Sequence, residues 1–271
     1  MIQIRDYARP KTLDEAMTML HGSRNAAIIG GGAFLRLGSK NISTAIDLGE
    51  LGLNEITEDA GGYTLGAMVT FGDVERSTVF KPEIARVLRE SLKDIVGVQL
   101  RNTVTVGATV FSRYGFSDLI STLLALDSEV HLHQGGSMKL EAFLKTGSLG
   151  KDILTHVRIP QSGTAASYQS LRLSTGDYAV LNLALAQIEG VWRVAVGARP
   201  GRAALATETM NLLNTHSWNG DTITQAVDCI ARELTYGSNA RGSAEYRCKL
   251  AGALLKKAMM EVQPHADSTD R

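Results

Sequence analysis

The chain has 271 residues, 44% of them hydrophobic, enough to bury a core in one large or two to three small domains. Lys+Arg and Asp+Glu are equal at 28 each, and zero net charge argues against a nucleic-acid or anionic-membrane partner, which demands a positive excess. The N-terminus lacks an apolar signal core and no segment approaches the roughly 20 apolar residues of a membrane span, so a soluble, cytoplasmic protein is expected.

The first 50 residues read as a small α/β unit. Thr12-Leu13-Asp14-Glu15 is a capping box, Leu13, Ala16, Met17 and Leu20 then share one helical face, and Gly22 suits the stop. Ala26–Ile29 and Thr44–Leu48 read as strands on either side of a glycine-rich turn, 30–38. A second unit follows from about residue 54 to 160. Its expected elements are a strand at Tyr63–Thr70, a helix opened by Pro82 with Ile84, Val87, Leu88, Leu92 and Ile95 inward, and a strand at 103–107. An apolar helix at 118–127 and strands at 128–133 and 153–159 complete it, with Pro160 at its edge. Residues 161–167 (QSGTAAS) read as a linker. Beyond them lie a strand pair, Tyr178–Ile188 and Val191–Ala198, turned by Glu189-Gly190, and helices around 222–235 and 243–260 with Ser243 as N-cap. The tail after Pro264 is expected to be disordered.

Two segments suggest ligand chemistry. In IIGGGAFLRLG (28–38) a strand runs into Gly30-Gly31-Gly32, where missing side chains let backbone N–H groups close on an anion such as a diphosphate. The spacing fits neither a P-loop nor the G-x-G-x-x-G fingerprint, and a glycine turn after a strand is also an ordinary structural feature. In RNTVTVGATV (101–110) small residues again follow a strand-like run, and Thr105 or Thr109 can offer a hydroxyl; an ordinary strand and turn is the plainer reading. His131 and His133 fall on one strand face without a third metal ligand, so a surface strand accounts for them. Asp118 at the start of an apolar helix has helix capping as its plain explanation. Cys229 and Cys248 are too few for a disulfide framework or an iron–sulfur cluster and read as buried thiols, so redox work would need an organic cofactor.

Taken in order, these segments resemble the flavoprotein subunit of molybdenum hydroxylases, the xanthine dehydrogenase and carbon monoxide dehydrogenase type, over about residues 2 to 260. The carrying motifs are Pro10 with Thr12–Ala16, Gly30–Leu35, Asp47-Leu48, Leu65-Gly66-Ala67 with Thr70, and Arg101-Asn102 leading to Thr105–Ala108. Ser117-Asp118, Leu123–Val130, Ile153–Pro160, Thr175–Ala179 and Arg241–Arg247 continue the series.

The resemblance implies an α+β fold. A FAD-binding domain of the vanillyl-alcohol-oxidase-like type would span 1–162, with subdomains at about 1–53 and 54–162. A smaller α+β C-terminal domain of three antiparallel strands and helices would span 163–264, with a tail at 265–271. It implies FAD as cofactor, held by Ile29, Gly30, Gly31, Gly32, Ala33, Phe34 and Leu35 of the first loop and by Thr105, Val106, Gly107, Ala108 and Thr109 of the second, with Asp118 and Leu154 also in contact. No metal site and no catalytic acid or base is assigned. The implied partners are an iron–sulfur subunit and a molybdopterin-binding subunit, with NAD or another acceptor taking the electrons. Three positions depart from the pattern. Ala33-Phe34 replaces a pair of side-chain acceptors, Ala108 replaces a glycine and is followed by Thr109 and bulky Phe111, and Ser170 occupies a position that is often lysine, with Arg172 the nearest cation. An alternative is therefore a flavin-poor scaffold between the two partner subunits.

Overall fold

A computed structural model describes residues 1–161 and 163–263, the side chains of 163 and 164 excepted; the expected tail lies outside the described residues. In chain order the elements are β1 (Gln3–Ala8), α1 (Leu13–Gly22), β2 (Ala27–Ile29), β3 (Asn41–Asp47), β4 (Ile56–Asp59), β5 (Gly62–Gly66), α2 (Phe71–Arg76), α3 (Pro82–Leu92), α4 (Val98–Arg101), α5 (Val106–Ser112) and α6 (Asp118–Ala125). Then come β6 (Glu129–Leu132), β7 (Gly136–Lys139), α7 (Leu140–Thr146), β8 (Leu154–Ile159), β9 (Gly163–Leu171), β10 (Leu181–Ile188), β11 (Val191–Gly197), β12 (Ala204–Leu205), α8 (Thr207–Thr215), α9 (Gly220–Glu233) and α10 (Ala244–Val262).

These elements form two compact units that are not collinear with the chain. The first comprises Met1–Lys81, Leu92–Tyr114 and Asp127–Gln161; the second takes Pro82–Ser91, Gly115–Leu126 and the described chain after position 162.

The first unit holds two sheets. The smaller is parallel, in the order β1-β3-β2. Thr12 caps α1 by accepting the Glu15 amide at 3.1 Å, and Ala16, Met17 and Leu20 pack on Ile46 and Leu48. The chain offered no sign of β1 because its side chains are nearly all exposed, which erases the alternation that marks a strand. The larger sheet is antiparallel, in the order β4-β5-β8-β6-β7. Here the strand expected at Tyr63–Thr70 ends at Gly66, since Thr70 closes a capping box with Asp73 and starts α2.

The second unit is built on one antiparallel sheet, β12-β11-β10-β9, three long strands plus the two-residue β12. Glu189 and Gly190 both have positive φ, 50° and 80°, the type I′ geometry that joins β10 to β11. β10 reads as a nearly continuous apolar run because it is covered on both faces. Leu181, Leu183 and Leu185 join the core with Leu254, Leu255, Ala258 and Met259 of α10, while Asn182 accepts the Ser121 hydroxyl of α6 at 2.8 Å. The linker expected at 161–167 is instead largely β9, which pairs with β10 along its length. Its small residues serve close packing: Ala166 and Ser167 are buried.

Candidate functional site

The glycine loop leaves β2 at Ile29 and turns through Gly31 and Gly32, whose φ values of 71° and 69° lie in the left-handed region that favours glycine. Gly31 is needed twice over, because a Cβ there would stand 1.7 Å from the Thr103 carbonyl. Among the described residues, the backbone N–H groups of Gly30, Gly31, Gly32 and Ala33 donate to no protein acceptor. Four consecutive unspent amides on a strand-to-helix turn form an anion-binding concavity.

The second segment behaves differently. No strand occupies 103–107. Thr105 keeps extended backbone (φ −101°, ψ 152°) but is the N-cap of α5, and its hydroxyl accepts the Ala108 amide at 3.3 Å. The alternating T-V-T-V pattern looks like a strand because an N-cap residue is itself extended. The first-turn amides of α5 are already spent: Val106 N–H donates to Val69 O at 2.8 Å and Gly107 N–H to Ala67 O at 2.9 Å. Gly107 is glycine for this close approach, as a Cβ would lie 2.5 Å from that of Ala67. Ala108 is tolerated for a matching reason. It has ordinary helical backbone, and the atom it adds is met by Gly30, where a Cβ would fall only 2.8 Å away. Arg101 and Asn102 brace this segment from behind. Arg101 pairs with Glu75 at 2.6 Å and donates to Ile95 O at 2.6 Å, and Asn102 accepts from Arg76 at 3.0 Å.

Between the loop and α5 lie two adjoining cavities of about 210 and 130 Å³ that share Ile28, Gly30, Ala108 and Ser112. Gly32, Ala33, Phe34, Leu35 and Thr109 line the larger, and Gly107 and Leu154 the smaller. Ile29, Gly31, Thr105 and Val106 stand behind these walls; Thr105 and Val106 are fully or almost fully buried. The hydroxyls of Thr109 and Ser112 make no hydrogen bond among the described residues, although Thr18 and Thr146 each bond back to the carbonyl four residues earlier. The groove thus offers free amides and free hydroxyls to an anionic, hydroxyl-bearing ligand, the donor set a flavin diphosphate and ribityl chain require.

Asp118 belongs to the second unit and is only 4% exposed. Its carboxylate pairs with Arg172 at 3.0 Å, accepts from Asn182 at 3.0 Å and takes the Tyr168 hydroxyl. Burial, and then the charge of Asp118, push the Tyr168 phenol well above its ordinary range, so it stays a donor. Arg172 also donates to Asp177 O at 2.8 Å, so the cation nearest Ser170 is held inside this network. A cavity of about 470 Å³ in the same unit is walled by Phe116, Tyr178 and Arg241. The two rings lie 4.6 Å apart, Arg241 sits 5.1 Å above Tyr178, and its hydrogen bond to Asp177 holds that carboxyl below the usual range.

Two further features were visible in the chain. The histidines do not act together: His131 stacks on His156 with centroids 4.0 Å apart, and His133 pairs with Asp14 at 2.8 Å. Both cysteines are free and half-buried rather than buried. Cys229 lies beside Glu208 and Glu233, but Glu233 caps α8 by accepting the Glu208 and Thr209 amides at 2.7 and 3.2 Å. Sequence reasoning missed Lys40, Ser112 and Tyr114 as groove residues. A helical reading of 106–112 would have placed Ser112 one turn after Thr109.

Residues 2–162 match the family described as the FAD binding domain in molybdopterin dehydrogenase, and residues 166–262 match the CO dehydrogenase flavoprotein C-terminal domain. The chain is 28% identical over 279 residues to the nicotine 6-hydroxylase medium subunit of Paenarthrobacter nicotinovorans, covering 94% of this chain and 96% of that one. It is 25% identical over 275 residues to the glyceraldehyde dehydrogenase medium chain of Sulfolobus acidocaldarius, covering 94% and 97%. In fold it is similar to a chain of the Cu,Mo-CO dehydrogenase, with a TM-score of 0.87 at 23% identity and 97% and 98% coverage. A chain of quinoline 2-oxidoreductase from Pseudomonas putida 86 gives 0.83 at 24%, covering 95% and 96%.

Proposed function

Since the chain belongs to the family of FAD binding domains in molybdopterin dehydrogenase, we propose that it relays electrons from iron–sulfur clusters on a partner subunit, through FAD, to a soluble acceptor such as NAD. It is an oxidoreductase subunit of the molybdenum hydroxylase type, and its cofactor is FAD. Bound FAD supplies redox chemistry that can be loaded one electron at a time and discharged as a pair.

The observation that carries the site assignment is the run of four unspent amides at Gly30–Ala33 opening onto a groove with unspent hydroxyls. In this reading Gly30, Gly31, Gly32 and Ala33 hold the diphosphate by backbone donation. Thr109 and Ser112 hydrogen-bond the ribityl chain, and Leu154 and Ala108 shape the apolar floor. Thr105 and Val106 act through the wall they build rather than by touching the ligand, while Gly107 lines the smaller cavity and lets the ligand approach the backbone there. Asp118, with Tyr168 and Arg172, organises the second unit. The aromatic and cationic cavity at Phe116, Tyr178 and Arg241 has the chemistry to take a planar anionic molecule, which supports a nucleotide acceptor.

The assembly proposed is a heterotrimer, or its dimer, with an iron–sulfur subunit and a molybdopterin-binding subunit in the cytoplasm, xanthine dehydrogenase-like in passing electrons to NAD. Among the described residues no helix is long and apolar enough to cross a membrane. Purified protein is expected to be yellow and to retain FAD through gel filtration. A colourless preparation that takes up no added FAD would overturn the assignment. Adding NADH anaerobically to the FAD-loaded protein tests the acceptor: bleaching of the flavin band supports NAD, and an unchanged spectrum rules it out.

A further inference from the structure

The diphosphate and ribityl contacts leave part of the groove unused. Phe34 and Tyr114 both line the larger cavity and pack directly on each other, with ring centroids 5.2 Å apart and planes tilted by 46°, so that together they present one aromatic surface. Lys40 lines the same cavity, and its ammonium has no acidic partner among the described residues. The position of Tyr114 is built rather than incidental. α5 ends on Arg113 in the left-handed conformation (φ 51°), which turns the chain. The guanidinium of Arg113 is anchored 5.9 Å above the Phe143 ring and against Gly147, where a Cβ would come within 2.9 Å of it. Phe34 directly follows the last unspent amide, so ring and amides are placed by one turn. Tyr114 is still 37% exposed, an aromatic surface with apolar area left to cover.

We infer that Phe34, Tyr114 and Lys40 form the subsite for the adenosine diphosphate half of the cofactor, the rings taking the purine and the ammonium balancing the phosphates. The inference rests on the FAD reading above. It also explains the departure at Ala33-Phe34: two side-chain acceptors have been exchanged for a stacking surface and a nearby cation. Stacking tolerates the loss of hydrogen-bond acceptors because a purine presents a π-face whatever its edges do. A diphosphate near an otherwise unpaired lysine gains a charge-assisted bond that a neutral ligand does not.

The test is equilibrium binding to the full-length protein stripped of flavin, with FAD and FMN followed by fluorescence and ADP by calorimetry. Wild-type protein is expected to prefer FAD to FMN and to bind ADP in competition with FAD. Tyr114→Ala should weaken FAD about 10-fold while leaving FMN unchanged, and Tyr114→Phe should restore it. Lys40→Gln should weaken ADP and flatten the salt dependence of its binding. Unchanged FMN uptake shows that the variants are folded. An equal loss of FAD and FMN in Tyr114→Ala, or no loss of either, overturns the subsite and leaves the FAD reading standing. Wild-type protein that binds neither FAD nor ADP overturns the FAD reading, and the subsite falls with it.

Discussion

Gly31 illustrates how much a single position carries. Its φ of 71° and its approach to Thr103 O leave no room for a side chain, so Gly31→Ala should destabilise the first unit by about 2 kcal/mol or more and abolish flavin uptake. Chemical denaturation and FAD titration of the variant check both halves. Asp118 makes the opposite point. The chain identifies it as a helix N-terminal charge and, by resemblance, as a cofactor contact, but a linear reading does not show Tyr168, Arg172 and Asn182 converging on it from β9, β10 and the intervening turn. Asp118→Asn keeps the shape and removes the charge that faces Arg172 inside the unit. The expected cost is about 3 kcal/mol of stability, seen as a shift in urea midpoint, because a buried cation loses its counter-ion. A role confined to the cofactor would leave that midpoint in place. Arg247, a fully buried cation, donates to the backbone carbonyls of Val180, Gly237 and Gly242 and to the Asn239 side-chain oxygen. Its place at the end of the Arg241–Arg247 segment is therefore a matter of backbone tying.

At the scale of elements, helices with caps and periodic apolar faces were legible: α1 with Thr12, α10 with Ser243 and the β10–β11 hairpin all lie where spacing puts them. The misreadings have physical causes. The N-cap Thr105 prolongs an extended backbone into the start of α5, and β9 is written in the small residues normally found in linkers. Thr105→Ala removes the cap and should cost about 1 kcal/mol, with flavin affinity falling further as α5 shifts against Gly30. On the larger sheet, His156 stacks on His131 across β8 and β6. Burial first, then the proximity of His131 and Arg158, lowers the His156 pKa from its usual value of 6.5. The unfolded chain therefore binds a proton more readily than the folded one. Stability from this group is complete above about pH 6.5 and is lost as pH falls through that value towards the folded pKa. The melting temperature should decline on acidification from pH 7.5, measured with and without His156→Gln, and the variant should show a shallower decline (the window is about 7.5 to 5.5). An identical slope in both proteins would remove His156 as the cause.

For the whole molecule, the motifs that disclosed the family are mostly scaffolding. Arg101 and Asn102 brace a loop, Ala67 at the end of Leu65-Gly66-Ala67 supplies a carbonyl to α5, and Thr70 caps α2. Their order along the chain could be read, whereas the groove could not, since Lys40, Ser112 and Tyr114 meet only through the turns at 30–38 and at Arg113. Binding of FAD to the folded state alone should raise stability by about 2.7 kcal/mol at a hundredfold excess over Kd, read as an upward shift in melting temperature. The two family matches divide the chain cleanly near residue 162, but the physical units do not: the second one borrows α3 and α6 from within the first stretch. A gene cut at that point would deliver β9 and β10 without the helix that carries Asp118 and Ser121, stranding Tyr168, Arg172 and Asn182. The two halves therefore cannot be exchanged between lineages like separable cassettes, and recombination that conserves function should be found at the ends of the gene rather than at its apparent seam.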